Sequence, residues 1–221
     1  MNQPSTSLPA TARGLRTRRK LVEAAEVVFG EKGFEAASIS DITRQAGVAL
    51  GTFYVYFADK RALFVEVVDG LGARLREALA EGIAAAGTGD RLAVERAGFD
   101  AFFRFVSRHR LLYRVVRQAE FIDQECFRRY YRSFAEPYAR ALERAQAAGE
   151  LRRLDPEALA YALMGMADFL GMRYVLWGRG RQAEAALEAA VDFIRGGMAA
   201  VPPAPAARAR RSRSGRAGRK A

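Results

Sequence analysis

Thiol and imidazole groups are almost missing from this chain. One cysteine, Cys126, and one histidine, His109, stand among 221 residues, so no internal disulfide forms and no Cys or His pair has metal-ligand spacing. A phosphate-cradling glycine loop and a nucleophile elbow are missing too, and His109 sits in the charged run Arg108-His-Arg110 without an evident partner. Catalysis is therefore the poorest of the available readings, and no cofactor is expected. Long apolar runs are also lacking: the stretch Ala158 to Ala167 stops at Asp168, well short of the ~20 residues that cross a bilayer. The N-terminus has no apolar segment of the secretory kind. These gaps leave a cytoplasmic protein without a membrane partner as the expectation, and Cys126 is expected as a small buried hydrophobe.

Acid is lacking at both ends. Residues 1–20 carry Arg13, Arg16, Arg18, Arg19 and Lys20 and no carboxylate, and residues 208–221 carry seven basic groups and no carboxylate. Removing the two ends leaves a body close to neutral, so the net charge of +11 belongs to the termini. With half of its residues hydrophobic, the body is globular.

The most informative segment runs from Ser38 to Lys60. Ser38 and Asp41 have the spacing of a capping box, which opens a helix, and Ile39, Ile42 and Ala46 then fall on one face. Gly47 follows where the chain must turn sharply. A second short helix, about Ala49 to Tyr56, is free of charge: Leu50, Thr52, Tyr54, Val55 and Tyr56 present methyls and hydroxyls, groups suited to thymine methyls and phosphate oxygens. Phe53 and Phe57 are expected to point inward. Asp59 caps the next helix, whose first turn holds Lys60, a point charge beside free amides that suits a phosphate. Helix, glycine turn and helix together predict a helix-turn-helix that lays its second helix in a DNA major groove.

The segment from about Thr17 to Phe64 resembles the N-terminal domain of the tetracycline-repressor (TetR) family of bacterial transcriptional regulators. The likeness is carried by Val27-Val-Phe-Gly-Glu-Lys-Gly-Phe34, Ile39-x-x-Ile42, Ala46-Gly-Val48, Gly51-Thr-Phe-Tyr54, Tyr56-Phe57 and Lys60-x-Ala-Leu-Phe64. The resemblance implies that Ser38 anchors a phosphate, that Gly51 and Thr52 approach the backbone or a base edge, and that Tyr54, Tyr56 and Lys60 clamp phosphates. Two positions depart from the family pattern. Ala49 stands where Ser is common and forfeits a side-chain cap worth about 1 kcal/mol. Leu50 stands where a polar or basic residue is frequent and makes no bidentate contact to guanine, leaving a thymine methyl or nothing at that base pair.

Beyond Phe64 helical spacing dominates, and the fold class is all-α: a three-helix DNA-binding domain followed by a helical ligand-binding and dimerisation domain. The expected organisation is a disordered basic arm over 1–16, the helix-turn-helix domain over 17–64, the helical domain over 65–200 and a disordered basic tail over 201–221. Leu63, Phe64, Val67, Val68, Leu71 and Leu75 extend one helix from the first domain into the second as a lever. Eleven aromatic residues fall between Phe99 and Tyr138, a density that is hard to pack without gaps and that points to a cavity inside the bundle. An apolar small-molecule effector is what the resemblance also implies. Candidate ligand contacts are Phe103, Tyr113, Arg117, Phe121, Phe134, Met164 and Asp168, with an arginine from a neighbouring helix expected on Asp168. The last two helices, starting at Asp155-Pro156 and near Arg181, are expected to pair with their copies in a homodimer, which doubles a short site into a palindromic operator. The resulting expectation is a repressor released by its effector. Its rival is an architectural protein held on any DNA by its basic ends.

Overall fold

The computed structural model describes residues 11–87, 90–178 and 180–199, and among them the only non-helical pairing is one isolated bridge, Leu151 to Ala199. The helices are α1 (Ala12–Lys32), α2 (Ile39–Ala46), α3 (Leu50–Tyr56), α4 (Lys60–Ala85), α5 (Arg91–Arg108), α6 (Leu112–Ile122), α7 (Gln124–Ala147), α8 (Pro156–Leu170) and α9 (Ala183–Met198). The all-α expectation holds. The basic arm does not extend to residue 16: Thr11 caps Gly14 N through its side chain, and α1 starts at Ala12. Arg13 and Arg16 are thus exposed members of its first two turns. The remainder of the arm and the basic tail over 201–221 lie outside the described residues.

Most helix starts follow one chemical rule. Ser38, Asp59, Asp90, Asp123 and Asp155 each place a side-chain oxygen on an amide of the first turn, satisfying a donor that the helix itself leaves unpaired. At the α2 end, Gly47 adopts φ 66°, the left-handed conformation that ends a helix without a Cβ clash.

The first domain closes on three phenylalanines. Phe29, Phe34 and Phe64 stand 5.1 to 5.6 Å apart between ring centroids, and Leu21, Ile42, Phe53 and Phe57 complete a sealed core around them. The boundary expected at 64/65 falls inside α4, which runs unbroken from the first domain into the second. Its far end packs against α5 and α7, and α6 bridges back to α1 and α4. At that bridge Gly30 lies so close to Leu111 that a Cβ at residue 30 would stand 2.7 Å from the leucine Cβ.

Helix α8 does not stop at Leu170 but continues as a π-helical segment, Gly171–Trp177. The Tyr113 hydroxyl donates to the Asp168 carbonyl at 3.0 Å, and engaging a helix carbonyl from the side loosens the regular ladder. Gly171 permits this approach, since its Cβ would lie 2.9 Å from that hydroxyl, whereas Gly165 faces open space. Pro156–Trp177 is, by length and composition, apolar enough to cross a bilayer. An ion pair from its Asp168 to Arg117 of α6, together with packing on α7, instead ties it into the bundle.

Overpacking a tight contact costs about 1–3 kcal/mol. Gly30→Val is therefore expected to lower the unfolding free energy by about that amount, and urea titration followed by circular dichroism measures it. An unchanged midpoint would show that the α1–α6 junction yields freely.

Candidate functional site

The exposed residues of α3 gather on one side. Leu50, Gly51, Tyr54 and Val55 are exposed, and at 100° per residue they span an arc of roughly 140°. Tyr54 keeps 59% and Val55 74% of its surface in solvent. Phe53 is sealed on the opposite side, with its ring 5.8 Å from that of Phe57, so burial of one face orients the other outward. Thr52 and Tyr56 lie half-buried on the flank, and Ala49 caps α3 without a side-chain hydrogen bond. Ser38 is exposed at the start of α2, and Arg44, exposed one turn before Gly47, adds a cation that spacing alone does not single out.

Lys60 has internal partners. Its Nζ donates to the carbonyl oxygens of Phe34 at 2.7 Å, Ala37 at 2.8 Å and Glu35 at 3.4 Å, and stands 4.3 Å from the Phe34 ring centroid. An ammonium has three N–H donors, and all three are engaged inside the protein. Lys60 is thus a fastener between the α4 start and the α1–α2 loop in the free protein. Sequence spacing locates the residue, but only the fold shows that three carbonyls converge on it.

The capping box is complete. Ser38 Oγ accepts from Asp41 N at 3.0 Å, Ser38 N donates back to Asp41 Oδ2 at 3.2 Å, and Lys32 Nζ lies 2.9 Å from Asp41 Oδ1. The Lys32 ammonium, followed by the Ser38 hydroxyl and amide, holds the Asp41 carboxyl well below the usual carboxylate range.

The second feature is a cavity of about 470 Å³ in the helical domain, a size typical of small-molecule sites. Leu75, Leu79 and Ile83 of α4, Phe99 and Phe102 of α5, Tyr130, Tyr131, Phe134 and Tyr138 of α7, and Leu163 and Met164 of α8 form its apolar wall. Of the expected contacts, Tyr113, Arg117, Phe134, Met164 and Asp168 line it. Asp168 finds the expected arginine, Arg117, at 3.3 Å. Two expected contacts do not reach it. Phe103 is buried in the core, one helical position away from Phe102, and Phe121 is 88% exposed near the end of α6.

Arg76, Arg91, Glu95 and Ser133 also line the cavity and were not foreseen. The Arg91-x-x-x-Glu95 spacing reads on paper as a solvated surface pair. In the fold Glu95 is 3% exposed, held by Arg91 Nη2 at 2.5 Å and by the Tyr138 hydroxyl. Burial raises the Tyr131 phenol to about 12 and the Tyr130, Tyr113 and Tyr138 phenols further, so at neutral pH these groups remain protonated.

Helix α6 touches both features. Tyr113, Val116 and Arg117 face the cavity, while Gln118 Oε1 accepts from Phe34 N at 2.5 Å and Gln118 Nε2 donates to Phe29 O at 3.4 Å. Outside the cavity lining, Cys126 is fully buried and burial pushes its thiol up to about 11. His109 is half-buried against Phe105 with ring centroids 4.3 Å apart, and burial holds its pKa below the ordinary value.

An outward-facing α3 set on a capped α2 defines a helix-turn-helix DNA-binding protein with a separate helical domain. Residues 21–67 match the model of the bacterial regulatory proteins of the tetR family, so this segment is similar to that family's DNA-binding domain. Over 170 residues it is 27% identical to the HTH-type transcriptional regulator YdgC of Bacillus subtilis, covering 76% of this chain and 85% of that one. Over 52 residues it is 50% identical to YvdT of the same organism, covering 24% of this chain and 27% of that one. A TetR transcriptional regulator from Chloroflexus aurantiacus has a similar fold, with a TM-score of 0.74 at 22% identity over 86% of this chain and all of that one.

Two outcomes check the local chemistry. Because the Asp41 carboxyl titrates below its unfolded value, its stabilising contribution is complete above about pH 5 and fades as acid protonates it. Asp41→Asn is therefore expected to melt lower than wild type at pH 7 and to show a flatter dependence of Tm on pH below 5. Parallel curves would remove this role. Lys60→Met is expected to lower Tm while changing the slope of log affinity against log salt by less than one. A drop of a full unit would make Lys60 a phosphate contact.

Proposed function

We propose that this regulator is a cytoplasmic repressor that binds a palindromic operator as a homodimer and leaves it when a largely apolar small molecule enters the cavity. The observation that carries the proposal is the continuity of α4. One rigid helix begins at Lys60, which fastens the loop leading into the DNA-reading motif, and passes on to Leu75, Leu79 and Ile83 in the cavity wall. Helix α6 gives a second connection through Gln118. A ligand that separates α4 from α7 or shifts α6 would change the aim of α3. Two half-sites stand about 34 Å apart, so a displacement of a few ångströms in each subunit prevents both recognition helices from docking together.

The homodimer reading is supported by apolar surface on α8, the π-helical segment and α9. Tyr161, Phe169, Trp177 and Phe193 remain exposed, and Gly165, between Tyr161 and Phe169 at helical spacing, has nothing within 4 Å of its Cβ position. On DNA, Ser38, Ala49, Leu50, Gly51, Thr52, Tyr54, Val55 and Tyr56 form the contacting set. In it, Leu50 and Val55 offer methyl groups and Tyr54 a phosphate-reaching hydroxyl.

Selection from random duplexes tests the reading. The full chain is expected to enrich one palindrome, and retention of all sequences in proportion to low salt would replace the repressor with a general DNA-coating protein. Phe169→Glu combined with Phe193→Glu is expected to yield a monomer by light scattering and to weaken operator binding at least about a hundredfold. A dimer that persists would move the subunit interface elsewhere.

A further inference from the structure

Three guanidinium groups line the cavity, and two of them face carboxylates. Arg91 is held by Glu95, and Arg117 stands opposite Asp168. Arg76 of α4 has no carboxylate partner among the described residues. Its Nη1 donates to Ser133 Oγ at 2.7 Å, and its guanidinium lies 5.4 Å from the Phe134 ring centroid. A guanidinium carries five N–H donors, so most of its capacity is unspent. Arg76 is exposed, which places it at the cavity mouth between α4 and α7.

A second donor stands beside it. Tyr130 of α7 is 8% exposed and lines the same cavity, yet its hydroxyl makes no hydrogen bond to any described residue. A Cβ built at Gly72 would lie 3.3 Å from Arg76 Nη1 and 3.3 Å from Tyr130 Cε2, which makes the two side chains neighbours, and burial keeps the phenol protonated and able to donate. Tyr130 lines the cavity with a hydroxyl that is not sealed in the protein, so the pair forms a polar receptor at the edge of an apolar chamber. Three cations against two carboxylates leave the lining with one positive charge in excess.

We propose that the cavity takes an apolar carboxylic acid, its carboxylate on Arg76 and Tyr130 and its hydrocarbon or aryl body against Leu79, Ile83, Phe99, Phe102 and Phe134. This rests on the reading of the cavity as the effector site. A carboxylate accepts hydrogen bonds and donates none, matching a guanidinium that only donates and a phenol that keeps its proton to donate. One negative charge balances the excess in the lining. The head at the mouth stays near water, where a charge costs least, while the body fills the dry interior. An amine would add to the positive charge, and an alcohol would leave the guanidinium uncompensated. The head group would also bridge α4 and α7, and so act directly on the lever helix.

Calorimetry on the full chain tests this with two probe series of constant body: decanoate, 1-decanol and decylamine, and 2-naphthylacetate with the corresponding alcohol and amine. In at least one series the acid is expected to bind about tenfold or more tighter than the alcohol, with the amine weakest. Arg76→Gln is expected to bring the acid down to the level of the alcohol without weakening the alcohol, Arg76→Lys to retain part of the preference, and Tyr130→Phe to weaken the acid severalfold. Alcohols that match or exceed the acids in both series overturn the carboxylate while leaving an apolar effector site in place. Failure of every probe to bind removes the effector site itself. An acid preference that survives Arg76→Gln overturns the assignment. Should that variant also lose the alcohol, an acid preference unchanged in Tyr130→Phe does the same.

Discussion

A single ammonium group holds the DNA-reading end of this molecule in register. Three carbonyl oxygens of the α1–α2 loop, from Phe34, Glu35 and Ala37, converge on Lys60 Nζ, and the Phe34 ring covers the charge. The loop cannot satisfy these carbonyls by secondary structure because it contains none, and leaving them unpaired in a partly buried place would cost more than one hydrogen bond. By gathering them, Lys60 locks the beginning of α4 to the end of α1 and the approach to α2. The short α3 between these anchors has no side-chain cap of its own. Its placement comes from Phe53 and Phe57 in the core and from the fastened elements on either side.

The second domain divides its polar groups in a different manner. Its cavity wall is largely apolar, and the charged groups in it are arranged as pairs, except at the mouth. Arg91, Glu95 and Tyr138 close upon one another, as do Arg117 and Asp168. Such pairs cost desolvation and gain little net stability, but they keep the apolar interior from holding an isolated charge. Helix α6 then links this interior to the phenylalanine cluster of the first domain through Gln118. The two domains therefore share a mechanical joint as well as the long helix α4.

Local chemistry made much of this legible in advance. The capping box at Ser38, the turn at Gly47 and the inward pair Phe53 and Phe57 follow from short-range rules, and the fold obeys them. The ion pair of Asp168 was readable for a similar reason: an acid in an apolar helix must find a cation. What escaped was set by contacts far apart in sequence. Lys60 looked like a surface cation because the carbonyls it binds lie 23 to 26 residues away. Phe103 and Phe121 could not be told from Phe102 and Phe134 by composition, since a difference of one residue rotates a helical side chain by about 100°. The π-helical segment begins three residues after a carbonyl that Tyr113 engages from another helix, a contact that no local pattern announces. The α1 start was missed for a simpler reason: Thr11 caps it one turn and more before the residues that carry the family likeness.

The sulfur of Cys126 sits behind the first turn of α7, sealed from water, with its thiol raised to about 11. At neutral pH only about one molecule in ten thousand carries the thiolate, the form that reacts with oxidants and electrophiles. A cysteine introduced at an exposed position such as Val55 or Phe193 would be the one reactive sulfur of the folded chain, and a spectroscopic label would settle there without the native residue having to be removed.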